Sequence, residues 1–317
     1  MIKSKKQLLI IGLDWCDMLK TVITSSQDIS ESLVTELELN QVSVSAVEVR
    51  DGETADIWLD RLFAGIRKQG VRENECLLIV SDREILQASA ERNLKCIGYV
   101  EPSNPGTDLF GCCAYVIEGW EGIGYPYIKR IFCRLEGIPL VIAKTEHLII
   151  RELVQEDIPR LCEICGQDSV CNFISDIGDD LQEEAEKHRA YIEQVYRFYD
   201  YGYWGVYGRH SGVLIGRCGI QDNVIDGTAE VELGYLLAEE QRGKGYAKEA
   251  VKAVLTYAFH ELNISRVVAV IDKKNTASLH VAKSCGMLWE KDIVKADTGK
   301  QNGRICSVYT ISPASCG

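Results

Sequence analysis

The stretch ELGYLLAEEQRGKGYAKEAV, residues 232 to 251, constrains the fold of this chain more than any other feature. It passes from a run that alternates like a β-strand, through two glycines, into a run with helical spacing of its apolar residues. Glycine destabilises regular elements, so Gly243 and Gly245 indicate a turn where something approaches the backbone closely. A helix that starts there presents free N–H groups to phosphate oxygens, and Arg242 and Lys244 add positive charge. A plain strand-to-helix turn is the alternative.

The chain around this turn divides into two halves with different patterns. In the first half, apolar runs such as QLLIIGL and CLLIVSD alternate with helical runs such as TADIWLDRLFAGIRKQG, which predicts a mostly parallel α/β sheet covered by helices. In the second half, YWGVYG, GVLIGRCGIQD and GTAEVELGYLL predict an antiparallel meander, and RVVAVID and ICSVYTIS predict two later strands. We therefore predict an α/β domain over 1–142 and an α+β domain with a mixed, mostly antiparallel sheet over 143–317.

Composition and charge exclude several classes of protein. The formal net charge of −12 and the pI near 5.0 disfavour a nucleic-acid partner, which a basic surface would meet. We identify neither a signal peptide nor a membrane span, so the 13 cysteines predict reduced thiols in the cytoplasm. Cys162, Cys165 and Cys171 are close in sequence but lack a fourth ligand at zinc-finger spacing, so no metal is expected.

The glycine-rich turn also fits a family pattern. In RGKGYA, the residues Arg242, Gly245 and Ala247 occupy the defined places of Q/R-x-x-G-x-G/A, and the stretch resembles the pyrophosphate loop of the GNAT superfamily of N-acyltransferases. TEHLIIREL looks like the opening strand of the RimJ/RimL branch, and NTASLHVAKSCGM resembles a later motif of that branch. The resemblance covers most of residues 145 to 311. A P-loop is the competing explanation, but its G-x-x-x-x-G-K-[ST] pattern does not occur here.

The resemblance implies acetyl-CoA as co-substrate, bound in a cleft between splayed strands. The loop would wrap the pyrophosphate with backbone N–H groups, and the end of the preceding strand would pair with the pantetheine arm. The residues implied in coenzyme binding are Tyr235, Leu236, Leu237, Arg242, Gly243, Lys244, Gly245, Tyr246, Ala247 and Asn275.

Acyl transfer to an amine needs a base for the amine proton and donors for the developing oxyanion. In TAEVELGYLL, strand periodicity puts Glu230, Glu232 and Gly234 on one face. Glu232 matches an acidic residue of the RimJ/RimL branch and is the first candidate for the base, acting directly or through water, with Glu230 as its neighbour. A solvated strand face is the alternative.

The leaving thiolate also needs a proton donor. The resemblance implies a tyrosine seven residues after Asn275, but Ala282 stands there. Ser278, at the motif serine, and Tyr309, on the closing strand, are the remaining candidates, and either could instead be structural. Cys306 and Ser307 replace an aspartate that relatives often carry, so the resemblance does not define the acceptor.

An acid-rich segment, SDIGDDLQEEAEKH, follows the first helix of this domain. In the resembled fold it borders the acceptor groove, where its charge would attract a polyamine, an aminoglycoside or a basic peptide end. A solvated helix start is the alternative explanation, because acids favour helix N-termini.

In the first half, the stretch from ETADIWLDRLF to KCIGYV, residues 53 to 100, and the later CAYVIEGWEGI resemble, more loosely, the C-terminal part and the usual ending of a HAD-type phosphatase core. Such an enzyme needs a DxDx[TV] motif, a lysine and paired acids, whereas this chain has IIGLDWCDML, no lysine near Glu53 and Leu86 in place of the second acid. Asp82 could hardly hold magnesium without a second carboxylate. We therefore expect a phosphatase-like scaffold without phosphatase activity.

These observations predict an acetyl-CoA-dependent N-acetyltransferase that acts by direct attack of a primary amine. The acceptor would be a protein N-terminus, a lysine or a small amine, with neither nucleic acid nor membrane as a partner and with a homodimer left open. A non-catalytic acyl-CoA sensor and a bifunctional enzyme with a working phosphatase are the alternatives.

Overall fold

The structure is a computed structural model that describes residues 18–25, 29–104, 109, 111–167, 181–295 and 303–313. The chain folds into two compact units, with the division between Ile138 and Pro139. The domain boundary predicted after residue 142 stays a prediction, because a division into compact units does not show which segments fold independently.

Among the described residues, the first unit is built on a parallel five-stranded sheet with the order β2-β1-β3-β4-β5. The strands are β1 (Thr21–Thr24), β2 (Ser43–Ala46), β3 (Cys76–Val80), β4 (Cys96–Val100) and β5 (Val116–Glu118). The helices are α1 (Glu31–Leu39), α2 (Ala55–Lys68), α3 (Arg83–Glu91) and α4 (Tyr125–Leu135). Strands β1, β3 and β4 are buried throughout, and their alternate side chains enter two apolar clusters, one with α2 and α3 and one with α1 and α4. The predicted α/β class is confirmed.

The sequence patterns missed one strand of this sheet. β1 has only four residues, TVIT, and no turn signal separates it clearly from the segment before it. The strand predicted from QLLIIGL lies outside the described residues.

The second unit is built on an eight-stranded sheet with the order β12-β13-β11-β10-β9-β8-β7-β6. Neighbouring strands are antiparallel except β10 and β11, which are parallel. The strands are β6 (Val141–Lys144), β7 (Leu148–Arg151), β8 (Tyr203–Gly208), β9 (Leu214–Ile225), β10 (Thr228–Leu237), β11 (Val267–Asp272), β12 (Leu288–Lys295) and β13 (Arg304–Ile311). The longer helices are α5 (Ile158–Cys165), α6 (Leu181–Tyr191), α7 (Tyr246–His260) and α8 (Thr276–Ser284). The predicted mixed, mostly antiparallel sheet is confirmed.

The two faces of this sheet pack differently. One face packs against α7 in the main apolar cluster, and the other carries a smaller cluster that includes α5. The sequence patterns missed β6 and β12, the two edge strands. Their side chains are largely exposed or only partly buried, so they show no regular apolar alternation.

No helix among the described residues is both long enough and apolar enough to cross a membrane. Within the same residues, no group of three histidine, cysteine or acidic side chains is arranged to hold a metal ion. Cys162 and Cys165 lie on α5, and Cys171 is outside the described part of the chain.

Candidate active site

The two parallel strands at the centre of the second sheet separate soon after they meet. β10 and β11 share one residue pair, Glu232 with Val268. Beyond this pair, β10 continues to Leu237 against β9, and β11 continues to Asp272 against β13. The edge of β10 that faces β11 therefore has no strand partner after Glu232, and its backbone groups can bond a ligand in the cleft.

A cavity of about 840 Å³ opens at this cleft. The end of β10, the loop before α7 and the first turns of α7 and α8 form its walls, and its volume lies in the range of cofactor sites. It brings together all but one of the residues expected to bind the coenzyme: Tyr235, Leu236, Leu237, Arg242, Gly243, Gly245, Tyr246, Ala247 and Asn275. Lys244 does not line the cavity, and its Nζ donates to Gln241 Oε1 at 3.0 Å.

The start of α7 has the backbone geometry that anion binding requires. Gly243 and Gly245 have φ angles of 74° and 83°, in the left-handed region that favours glycine. Gly245 occupies the N-cap position, and no side chain there bonds the N–H groups of the first turn. In α8, by contrast, Asn275 Oδ1 accepts from Ser278 N at 3.1 Å. The uncapped N–H groups of α7 are therefore open to a ligand such as phosphate.

Basic side chains that the sequence analysis missed also line the cavity. They are Lys248, in the first turn of α7, and Lys274 and His280, before and within α8. Together with Arg242 they make this end of the cavity attractive to anions. These residues could have been predicted, because they lie in or beside the motifs RGKGYA and NTASLHVAKSCGM. Residues near a helix N-terminus lie close to any ligand bound there.

Glu232 lies at the point where β10 and β11 part. Its side chain is 8% exposed, and Oε2 accepts a hydrogen bond of 2.5 Å from Asn223 Nδ2 on β9. Tyr235 packs with the cluster beneath α7, so strand alternation puts Glu232 on the opposite face. The carboxylate is thus near the inner end of the cleft, on the face away from α7.

Glu230 has different surroundings, although it shares this face. Both of its carboxylate oxygens accept from Arg266 Nε, at 3.0 and 3.2 Å. Arg266 also donates to Glu290 at 2.7 Å. This network engages Glu230 in an ion pair, so the two acidic residues of the strand are not equivalent.

Tyr203 closes the same face beside Glu232. A Cβ atom added to Gly234 would lie 2.5 Å from the Tyr203 hydroxyl, so only glycine allows this approach. The Arg217 guanidinium lies over the Tyr203 ring, 4.7 Å from its centre. Sequence analysis missed both residues, because Tyr203 reaches Gly234 only through the pairing of β8, β9 and β10.

The candidates for protonating the leaving thiolate differ in whether they line the cavity. Ser278 lines the cavity. Tyr309 is 5% exposed in the apolar cluster of α7, and it is not among the described residues that line the cavity. Ala282 is buried in the same cluster. Ser307, the departure noted on the closing strand, donates to Asp292 Oδ1 at 2.8 Å.

The acid-rich segment is described only in part. Asp176, Asp179 and Asp180 lie outside the described residues. Of the glutamates on α6, Glu183 and Glu184 pair with Lys187 at 2.7 and 3.0 Å, which reduces the negative charge that this helix presents.

A buried histidine on α6 was not predicted. His188 is 8% exposed, and its Nε2 has no hydrogen-bond partner among the described residues. Burial lowers the pKa of His188 to about 4, so the ring is neutral near pH 7.

A parallel strand pair that parts beside an uncapped helix start fits the coenzyme A site of an acyltransferase that the sequence resemblance implies. Residues 147–288 match the family described as "Acetyltransferase (GNAT) domain". The chain is 30% identical over 151 residues to "Putative ribosomal N-acetyltransferase YdaF" of Bacillus subtilis (strain 168), covering 46% of this chain and 80% of that protein. This chain belongs to the GNAT family of N-acetyltransferases, and membership implies the use of acetyl-CoA.

Two other relatives show the range of similarity. "Uncharacterized protein YkkB" of Bacillus subtilis (strain 168) is 37% identical over 97 residues, which span 31% of this chain and 56% of that protein. "Uncharacterized N-acetyltransferase p20" of Bacillus licheniformis is 28% identical over 169 residues, which span 53% of this chain and 93% of that protein.

The first unit lies outside the matched region, and its HAD-like character stays a prediction. Asp82 Oδ1 accepts from Ile85 N and caps α3. Leu86 is fully buried. The Arg61 side chain, hydrogen-bonded to Glu53, lowers the pKa of Glu53 to about 2. Asp14, in the stretch that departs from the nucleophile motif, is outside the described residues.

We expect the full chain to show no magnesium-dependent phosphatase activity, because Leu86 stands in the place of the second acid and no lysine lies near Glu53 in the sequence. The measurement is hydrolysis of p-nitrophenyl phosphate with and without Mg²⁺. Steady hydrolysis that requires Mg²⁺ and disappears in Asp14→Asn or Asp82→Asn would show that the site is active.

Proposed function

We propose that this chain transfers the acetyl group of acetyl-CoA to a primary amine by direct attack, as expected for the RimJ/RimL branch. The observation that carries the proposal is the cavity at the open end of β10, with Glu232 at the residue pair that β10 shares with β11. The acyl donor can therefore approach β10 from the cavity, and the acceptor amine can approach it from the face that carries Glu232.

The donor side is supported by the lining of the cavity. In the proposal, the uncapped N–H groups of the α7 start and the side chains of Arg242, Lys248 and Lys274 hold the phosphates. The open edge of β10 at Tyr235 to Leu237 bonds the amides of the pantetheine arm, because its backbone has no strand partner there. Acetyl-CoA supplies an activated acetyl thioester when it is bound.

The acceptor side lies on the other face of β10. Glu232 takes the proton of the attacking amine, directly or through water, and Asn223 holds the carboxylate in place. Backbone N–H groups on the open edge of β10 stabilise the oxyanion that develops on the acetyl carbonyl. The arrangement needs only a neutral amine brought close to the cleft.

A cationic small amine or a basic peptide end is the acceptor class that the charges favour. The net charge of −12 attracts such molecules over long range, and Glu186 on α6 is exposed. The relative YdaF carries the name "Putative ribosomal N-acetyltransferase". We therefore place free protein N-termini, lysine peptides, polyamines and aminoglycosides in one panel of acceptors.

Incubation of the full chain with acetyl-CoA and this panel tests the proposal. Chromatography should measure the coenzyme A released and mass spectrometry the acetylated acceptor, since a thiol dye also reacts with accessible protein cysteines. We expect turnover with at least one free amine and none with its N-acetylated form. Tight coenzyme binding by calorimetry without acetylation of any amine would instead identify an acyl-CoA sensor.

A further inference from the structure

The phenol of Tyr235 crosses the cleft in which the proposed function puts the acyl donor. Tyr235 belongs to β10, one wall of the cleft, and its hydroxyl donates to the carbonyl oxygen of Ser278 at 3.1 Å. Ser278 lies in the first turn of α8, on another wall, and both residues line the cavity. A side chain from one wall thus brings an O–H group to the other.

The backbone of Tyr235 lies close to the point where the two strands part. Tyr235 is three residues beyond Glu232, where the strands part, and it begins the open edge proposed to bond the pantetheine arm. A thioester held near the inner end of that edge has its sulfur close to the ring. Tyr309, by contrast, does not line the cavity among the described residues.

The phenol can give its hydrogen bond to a new partner without leaving a buried acceptor unsatisfied. The carbonyl of Ser278, in the first turn of α8, also receives the N–H of the residue four positions later in the helix. Burial raises the pKa of Tyr235, so the group keeps its proton and remains a donor throughout the working pH range.

We propose that Tyr235 is a catalytic residue that donates a hydrogen bond from its phenol to the sulfur of coenzyme A as the thiolate leaves. This inference rests on the proposed function. The amine nitrogen forms its bond to the acetyl carbon, the carbon–sulfur bond breaks with its electron pair going to sulfur, and the amine proton goes to Glu232. The phenol stays protonated, and the released thiolate takes its proton from water.

The proposal is tested by the ionisation of bound coenzyme A, which needs no acceptor. The thiolate absorbs in the ultraviolet, so titrating the complex with pH reports the pKa of the bound thiol. The complex with desulfo-coenzyme A serves as the blank and removes the signal of the protein's own cysteines. Tyr235→Phe should lower the acid dissociation constant of the bound thiol by about tenfold or more, as expected for loss of a hydrogen bond to an ionised group.

Tyr201→Phe is the matched control. It removes a phenol whose hydroxyl donates to Asp222 Oδ1 at 2.6 Å and which does not line the cavity, so the bound thiol should titrate as in the wild type. Equal ionisation in the wild type and Tyr235→Phe would overturn the proposal, as would loss of coenzyme binding in Tyr235→Phe, which would make the phenol a structural support. Failure of the wild type to bind coenzyme A would overturn the proposed function as well.

Discussion

Gly245→Val should lose acetyl-CoA binding by about a hundredfold or more while the domain stays folded. Gly245 lies at the N-cap of α7 with a φ of 83°, and an added Cβ would meet no protein atom within 4 Å. The valine would therefore project into open space beside the cavity and strain the turn that aims the N–H groups. Losing two hydrogen bonds to charged phosphate oxygens accounts for an effect of about this size. Calorimetry with acetyl-CoA measures it.

Gly227→Val separates loss of the site from backbone strain. Gly227 has a φ of 79°, is equally free of neighbours within 4 Å, and forms the turn between β9 and β10, away from the cavity. Both variants should be destabilised by about 1–3 kcal/mol, the cost of a left-handed conformation for a residue other than glycine. Only Gly245→Val should lose the coenzyme. Undiminished affinity in a folded Gly245→Val protein would contradict the placement of the pyrophosphate.

Glu232→Gln should reduce turnover by about 10²- to 10⁴-fold, the contribution typical of general acid–base catalysis. The amide is nearly isosteric with the carboxylate, and its oxygen can still accept from Asn223 Nδ2, so the fold should be preserved. Coenzyme binding should survive, because Glu232 does not line the cavity among the described residues. The loss should shrink at high pH, where more of the acceptor amine is already neutral.

Glu230→Gln is the control on the same strand face. It disturbs the ion pair with Arg266 but removes no group near the parting of the strands, so turnover should change little. Normal turnover in Glu232→Gln together with loss of turnover in Glu230→Gln would assign the role of the base to Glu230. Full activity in both variants at every pH would mean that the reaction depends on positioning without a carboxylate base.

The cavity proposed to hold coenzyme A was the most predictable part of the molecule, because many of its lining residues are contiguous in sequence. Local rules about glycine and helix starts indicated the turn, and the resemblance to the GNAT pyrophosphate loop selected Arg242 to Ala247, of which all but Lys244 line the cavity. Asn223, the hydrogen-bond partner of Glu232, could also have been predicted from the sequence. The turn at Asp226 and Gly227 sets the register of β9 and β10, and counting back from it puts Asn223 on the face of Glu232.

Contacts between distant segments were not predictable in the same way. The ion pair of Glu230 with Arg266 depends on β11 lying parallel to β10, and the bond between Tyr235 and Ser278 joins residues 43 positions apart. Edge strands were missed for another reason. β12 exposes most of its side chains, and apolar periodicity, the main signal for a strand, is weak where a strand buries little.

The separation of β10 from β11 also bears on how such a protein can diversify. In the proposed reaction, the acyl donor is recognised largely through main-chain groups, which nearly every amino acid supplies equally. The acceptor meets side chains on the other face, where Glu232, Asn223 and Tyr203 lie. Substitutions on that face can therefore change the amine that is accepted while the demand for coenzyme A is inherited unchanged.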